Sequence, residues 1–138
     1  MAAVKTTGLG LTTLSVDDSS GTVTDIRADV NNFQFATPRG VQDVTGVNKS
    51  AYERLLLLAD CSATLNGAGF DVQASQAHAV FKTVPSTSVL RTMTITIQGV
   101  TLACEMLFTD YSITRGGDGG ITWTAPGVLG DGSTPTWA

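Results

Sequence analysis

The sequence predicts a mainly β chain, a β-sandwich or half-barrel with one or two short flanking helices, and three observations predict it. Glycine and threonine abound while glutamate occurs only at Glu53 and Glu105, a composition that favours strands and turns over helix. Apolar and polar residues alternate in short runs, most clearly from Val89 to Gln98, where Met93, Ile95 and Ile97 face one way and Thr92, Thr94 and Thr96 the other. Turn-forming clusters such as Asp17-Asp18-Ser19-Ser20-Gly21 and Gly116-Gly117-Asp118-Gly119-Gly120 punctuate the runs. With 138 residues, 42% hydrophobic and 14% charged, the chain has room for one domain and enough apolar content to fold it.

Taken in order, Leu9 to Val16 reads as a first strand that turns through Asp17–Gly21 into a second, Thr22 to Ile26. That second strand resumes from Val30 to Phe35 after a bend at Arg27-Ala28-Asp29, where the alternation loses phase. Thr37 to Val47 carries Pro38, Gly40 and Gly46 without periodicity and reads as a long loop with a task, either mobile or an interface. Ser50-Ala51-Tyr52-Glu53 fits a capping box opening a two-turn helix, with Tyr52, Leu55 and Leu56 on its buried face. Leu57 to Asn66 switches to a period of two and places Leu57, Ala59, Cys61, Ala63 and Leu65 on one face. Gly67-Ala68-Gly69 turns the chain, and Ser75 to Val84 gives a second helix through the Ala77, Val80, Phe81, Val84 stripe, stopped by Pro85. Gly99 permits the reversal from the Val89–Gln98 strand into Thr101–Thr114, with a bulge near Asp110 where the phase slips. Ile121 to Ala125 closes a meander of the last three strands. The domain is expected to span residues 1–126. Residues 127–138, rich in Gly, Ser, Thr and Pro, read as an arm that docks the anchors Val128, Leu129 and Trp137 elsewhere.

Charge narrows the function. Eight Lys and Arg against twelve Asp and Glu give −4, and the cations are scattered singly, so no basic patch grips a phosphate backbone. No run of about 18 apolar residues exists, which excludes a spanning helix. The start Met1-Ala2-Ala3-Val4-Lys5-Thr6-Thr7 lacks a signal-peptide core, so synthesis and retention in a cytoplasm are expected. Cys61 and Cys104 are not spaced as metal ligands and read as buried structural residues. The single histidine, His78, lies beside a helical core stripe without the partners a catalytic base needs. The aspartates sit at turns rather than in acid/base pairs, and Gly116–Gly120 lacks the Gly-Lys-Ser/Thr ending of a phosphate loop. No enzyme, cofactor or metal is therefore expected.

The segments Thr37-Pro38-Arg39-Gly40, Asp43-Val44-Thr45-Gly46, Ser50 to Asp60, Arg91 to Gly99, Leu107-Phe108-Thr109-Asp110-Tyr111 and Trp123-Thr124-Ala125-Pro126-Gly127 resemble, in order and spacing, the major tail tube proteins of long-tailed bacteriophages. The resemblance covers most of the chain after about Thr22 and rests on pattern rather than a catalytic signature. It implies a ring-forming subunit of the virion tail, six copies pairing inner sheets and rings stacking into a conduit for DNA ejection. It also implies partners: further copies of itself, and the tape measure, tail terminator and tail-tip proteins, with DNA passing unheld and no membrane insertion. Three physical points agree. A sheet this small leaves edges that ring closure would cover. Six subunits lending four strands each, at about 4.8 Å per strand, give a circumference near 115 Å and a diameter near 37 Å. A threonine-and-aspartate lining with net negative charge does not hold a polyanion.

On this resemblance Thr92, Thr94 and Thr96 line the lumen, while Met93, Ile95 and Ile97 pack under the helices. Arg39 and Asp43 fall in the loop that contacts the next ring. The alternative is a monomeric β-sandwich binding carbohydrate or protein through Trp137 or the Thr37–Val47 loop. A small Cys/His hydrolase is a distant third, because no nucleophile motif is present.

Overall fold

Short alternating runs separated by turns can bury their apolar faces only by pairing side by side, and the chain does this with ten strands. The computed structural model describes residues 5–138; the amino-terminal reading of residues 1–4 lies outside it. After a 3-10 turn at Gly8–Gly10 come β1 (Leu11–Asp17), β2 (Val23–Asp25), β3 (Val30–Ala36), β4 (Arg39–Asp43), β5 (Arg54–Ala59) and β6 (Ser62–Ala68). The single α-helix among the described residues, α1 (Ala77–Phe81), is followed by β7 (Arg91–Ile97), β8 (Val100–Phe108), β9 (Ser112–Arg115) and β10 (Ile121–Leu129). Eight strands form one antiparallel sheet in the order β2-β1-β7-β8-β10-β6-β3, with β9 also paired to β10. The remaining two, β4 and β5, form a separate ribbon.

The sheet curls around one core. Leu14 and Val16 of β1, Met93 and Ile95 of β7, Leu102 and Met106 of β8, Trp123 of β10 and Leu65 of β6 join a single buried cluster with α1. Two hydrogen bonds show how far the curl goes. Ala77 N–H, at the start of α1, donates to Asp29 Oδ2 at 3.1 Å, beside β3, while Arg91 Nη1 of β7 donates to Val80 O at 2.8 Å. A flat ladder would put β7 and β3 about 19 Å apart, too far for a helix of about 7.5 Å to reach both. The mainly β class read from the sequence, a β-sandwich or half-barrel with one or two short helices, is what forms, as a curled sheet with α1 in its mouth. Phe81 fills that mouth, its ring 5.1 Å from Phe108, 5.7 Å from Tyr111 and 5.8 Å from Trp123.

Several elements differ from the sequence reading, each for a local reason. The predicted helix from Ser50 does not form. Thr45 Oγ1 takes the Glu53 N–H at 2.8 Å, and the Glu53 carboxylate pairs with Lys49 at 3.4 Å instead of capping Ser50. The leucine run therefore extends as β5 against β4. For the same reason Thr37–Val47 is not an irregular loop but contains β4, with Arg39 and Asp43 at its two ends. The strand expected from Leu57 to Asn66 breaks at Asp60, whose Oδ1 accepts the Cys61 N–H at 2.8 Å; Cys61, Ala63 and Leu65 are buried as expected, whereas Leu57 is exposed. The second helix, expected over Ser75–Val84, is two residues shorter at its start and three at its end, where Arg91 draws the chain after Phe81 into turns by binding Val80 O and Thr83 Oγ1. The second strand does not resume after its bend: β2 and β3 lie on opposite edges of the sheet.

Near Asp110 the break is complete rather than a bulge. Asp110 accepts the Tyr111 N–H at 2.8 Å and the Ser112 hydroxyl at 2.6 Å, and the chain resumes as β9. This explains Pro126 in a central strand. Thr109 N–H donates to Pro126 O at 3.1 Å, so the side on which proline lacks a donor faces the gap between β8 and β9. β10 thus runs through Pro126 to Leu129, and Val128 and Leu129 are ladder residues rather than part of a free extension. The β7–β8 turn uses Gln98 and Gly99, both at positive φ (51° and 81°), which matches the strand twist.

Among the described residues Arg91 is the one buried charge within this core, 2% exposed, and it bonds to Asp17 O, Val80 O, Thr83 Oγ1 and Thr87 Oγ1. Arg91→Leu strands the two carbonyls without donors and should cost about 3 kcal/mol, measured as a lower urea midpoint at unchanged m-value.

Candidate assembly surfaces

Three surfaces carry the residues singled out in the sequence. The first is the β4–β5 ribbon. Val41 of β4 and Leu55, Leu56, Leu57 and Leu58 of β5 are all exposed, Leu58 to 91%, and alternate strand geometry puts them on both faces. Tyr52 and Val47 extend the apolar surface to the tip. A lone two-stranded ribbon is marginal in water, and one greasy on both faces marks an interaction site. Arg39 stiffens its base by donating from Nε and Nη2 to Leu57 O at 3.0 and 2.7 Å. At the other end Asp43 Oδ1 accepts from Thr45 Oγ1 at 2.6 Å and Thr45 N–H at 2.9 Å, and these bonds, the hydroxyl's foremost, hold its carboxyl below the usual range. Arg39 and Asp43 are thus brought into one ribbon but not into contact. Arg54 stacks 4.6 Å from the Tyr52 ring centroid. The sequence reading offered the β4 half, Thr37–Val47, as mobile or an interface but missed the β5 half, whose signal was four consecutive leucines with no polar alternation.

The second surface is the outer face of β1, β7 and β8. Register places Thr13, Thr96 and Thr101 in one row and Ser15, Thr94 and Ala103 in the next. Thr92 donates to Glu105 Oε1, and the Thr96 and Thr101 hydroxyls lie 2.9 Å apart. Thr92, Thr94 and Thr96 are half-buried, Thr92 and Thr96 tied down by these bonds, while Met93 and Ile95 face the core and Ile97 its edge. Neither lysine nor arginine occupies an outward position on these three strands. The third surface is the carboxyl-terminal tail. It returns along the free edge of β8, where Ala138 and Thr101 exchange backbone bonds of 2.8 Å each way and Trp137 stands half-exposed opposite Leu102.

The other candidate side chains are built into the fold. His78 Nδ1 lies 3.2 Å from the Tyr111 hydroxyl with the Phe70 ring 4.5 Å away, a packing arrangement. Among the described residues no three His, Cys, Asp or Glu side chains converge as a metal site.

No family model and no curated protein matches the chain. Solved structures do. A chain from the tail of an empty gene transfer agent particle, refined helically with C6 symmetry, superposes with a TM-score of 0.72 at 14% identity, covering 97% of this chain and 99% of that one. A chain of the native gene transfer agent virion gives 0.68 at 12% identity, with the same 97% and 99% coverage. The protein therefore has the fold of subunits found in such tails, end to end.

Burial pushes the Cys61 thiol up to about 12, reinforced by its contact with Cys104, whose thiol burial also raises. The folded chain keeps a proton that the unfolded chain releases near pH 8.5. Stability is thus complete below about pH 8.5 and falls as the pH climbs toward the folded value. Urea midpoints followed across that window should decline, and the Cys61→Ala variant should flatten the decline.

Proposed function

We propose that the protein is a structural subunit of a phage-like tail tube, self-assembling into stacked rings, six-fold by the resemblance, that form a conduit for DNA. The observation that carries the reading is the β4–β5 ribbon, apolar on both faces and uncovered within its own chain. A second copy covers it. The ribbon bears both charge signs, Arg39, Lys49 and Arg54 with Asp43 and Glu53, so copies can dock with opposite charges facing. The fold likeness to chains of a gene transfer agent, one from its tail refined with C6 symmetry and one from its virion, supports the same conclusion.

The bore is assigned to the Thr92, Thr94 and Thr96 face. Thr92 is hydrogen-bonded to Glu105 and Thr96 to Thr101, and the face offers no cation to a passing phosphate, so it neither grips nor stalls a duplex. The tail with Trp137, together with Val128 and Leu129 at the end of β10, supplies further contact between rings. Tape measure, terminator and tip proteins are the remaining partners of this reading, the virion tail is its location, and its role is structural rather than enzymatic.

Negative-stain electron microscopy of concentrated protein, alone and with tail-tip components, is the test. Hollow rings or tubes are expected; monomers under every condition favour a monomeric binding module instead. Leu56→Asp with Leu58→Asp should abolish assembly while leaving the thermal midpoint within a few degrees, since neither side chain is in the core. Thr94→Lys should assemble normally yet slow DNA passage, measured as reduced ejection from particles carrying it. Deleting residues 131–138 should shorten tubes without unfolding the subunit.

A further inference from the structure

The outer face of the sheet across β9, β10, β6 and β3 holds a cleft that the assembly reading does not use. Register aligns Asn32 of β3, Asn66 of β6, Thr124 of β10 and Ser112 of β9 in one row across four strands. A β-bulge opens the sheet there: Asn31 is its extra residue, with the pairing shifted between Val30 and Asn32, and it swings out beside the row. The result is a cleft of about 400 Å³ with Thr114 on its rim, while the Trp123 ring beneath it faces the core. That volume lies at the small end of the roughly 300–1,000 Å³ of small-molecule sites.

The lining has a definite chemistry. Asn66 Nδ2 donates to Asn32 Oδ1 at 2.8 Å, and Asn32 Nδ2 donates to Asn31 Oδ1 at 2.8 Å. This chain of amides runs in one direction and leaves an acceptor, Asn66 Oδ1, at one end and a donor, Asn31 Nδ2, at the other. Hydroxyls of Ser112, Thr114 and Thr124, which both donate and accept, continue the row. No lysine, arginine, aspartate or glutamate lines the cleft, so it offers nothing to an anion or a metal ion. Dense neutral donors and acceptors match a ligand whose own groups both donate and accept.

We infer that this cleft is a binding site for a neutral saccharide unit, a pyranose ring presenting adjacent hydroxyls to the amide and hydroxyl row. The Trp123 ring faces the core, so hydrogen bonds carry the binding and the affinity is in the millimolar range. The site lies across β9, β10, β6 and β3, other strands of the sheet than the β1, β7 and β8 that carry the threonine rows, and its occupancy needs no assembly.

The experiment is saturation-transfer NMR, with tryptophan emission in a Trp137→Phe background, on the full chain titrated with glucose, galactose and N-acetylglucosamine and with glucuronate as the charged control. At least one neutral sugar should give a saturable signal and a change in Trp123 emission. Asn66→Ala should weaken it roughly tenfold, the equivalent of one hydrogen bond. Thr114→Val, at the exposed rim, should weaken it in the same direction without touching the fold, and Thr94→Val, on β7 outside the cleft, should leave it unchanged. No saturable response to any neutral sugar, an equal or stronger response to glucuronate, or binding indifferent to both Asn66→Ala and Thr114→Val would overturn the inference. Because the titration is done on unassembled protein, its failure leaves the tube reading standing, and failure to form tubes leaves the titration interpretable.

Discussion

The buried guanidinium of Arg91 is the constraint on which the rest of this fold depends. It sits in the core with no carboxylate bonded to it and is satisfied by carbonyls and hydroxyls drawn from β1, α1 and the turns that follow α1. A charge in that position is tolerated only while every donor has a partner. The helix is therefore fixed in place, and with it Phe81, around which Phe108, Tyr111 and Trp123 gather. From the other side Asp29 takes the helix's first free N–H. A helix of five residues, far too short to persist alone, is thus held at both ends by opposite parts of one sheet, and it keeps that sheet curled.

Much of this was legible in the sequence and the rest was not, for reasons visible in particular residues. Val89–Gln98 reads as a half-buried strand because isoleucine and methionine alternate with threonine, and no helix places those residues usefully. Ala77, Val80 and Phe81 likewise announce a buried stripe whatever the helix length. Ser50–Leu58 could not be read this way. Four consecutive leucines satisfy a helical face and a strand equally, and the decision fell to Thr45, whose hydroxyl takes the Glu53 N–H across the ribbon. Such a bond joins residues by folding and leaves no periodic trace. The exposed surfaces were harder still: periodicity shows which residues share a face, but not whether the protein's own core or another molecule covers it. The cleft at Asn66 was illegible because its row is assembled from four strands distant in the chain.

The surfaces divide by chemistry. Apolar side chains left in solvent concentrate on the ribbon, neutral polar groups on the outer face of the large sheet, and the arginines and lysines, the buried Arg91 apart, at edges, turns and the ribbon. A chain whose acidic excess is only four charges cannot repel its copies strongly, so association is governed by where apolar area is exposed rather than by net charge. That arrangement suits a subunit that adds to others in one orientation and presents its polar faces to water.

The ribbon is also a mechanical element. β3 leads into β4 after two residues and β5 into β6 after two more, so the ribbon and the β3–β6 ladder are one long hairpin with a kink. Tension applied at the ribbon tip is carried along these strands into the body. There the hydrogen bonds of the β6–β10 ladder lie across the direction of pull, so they resist together in shear instead of opening one at a time. An assembly held through such ribbons would stretch or slip at its subunit contacts before its subunits unravelled.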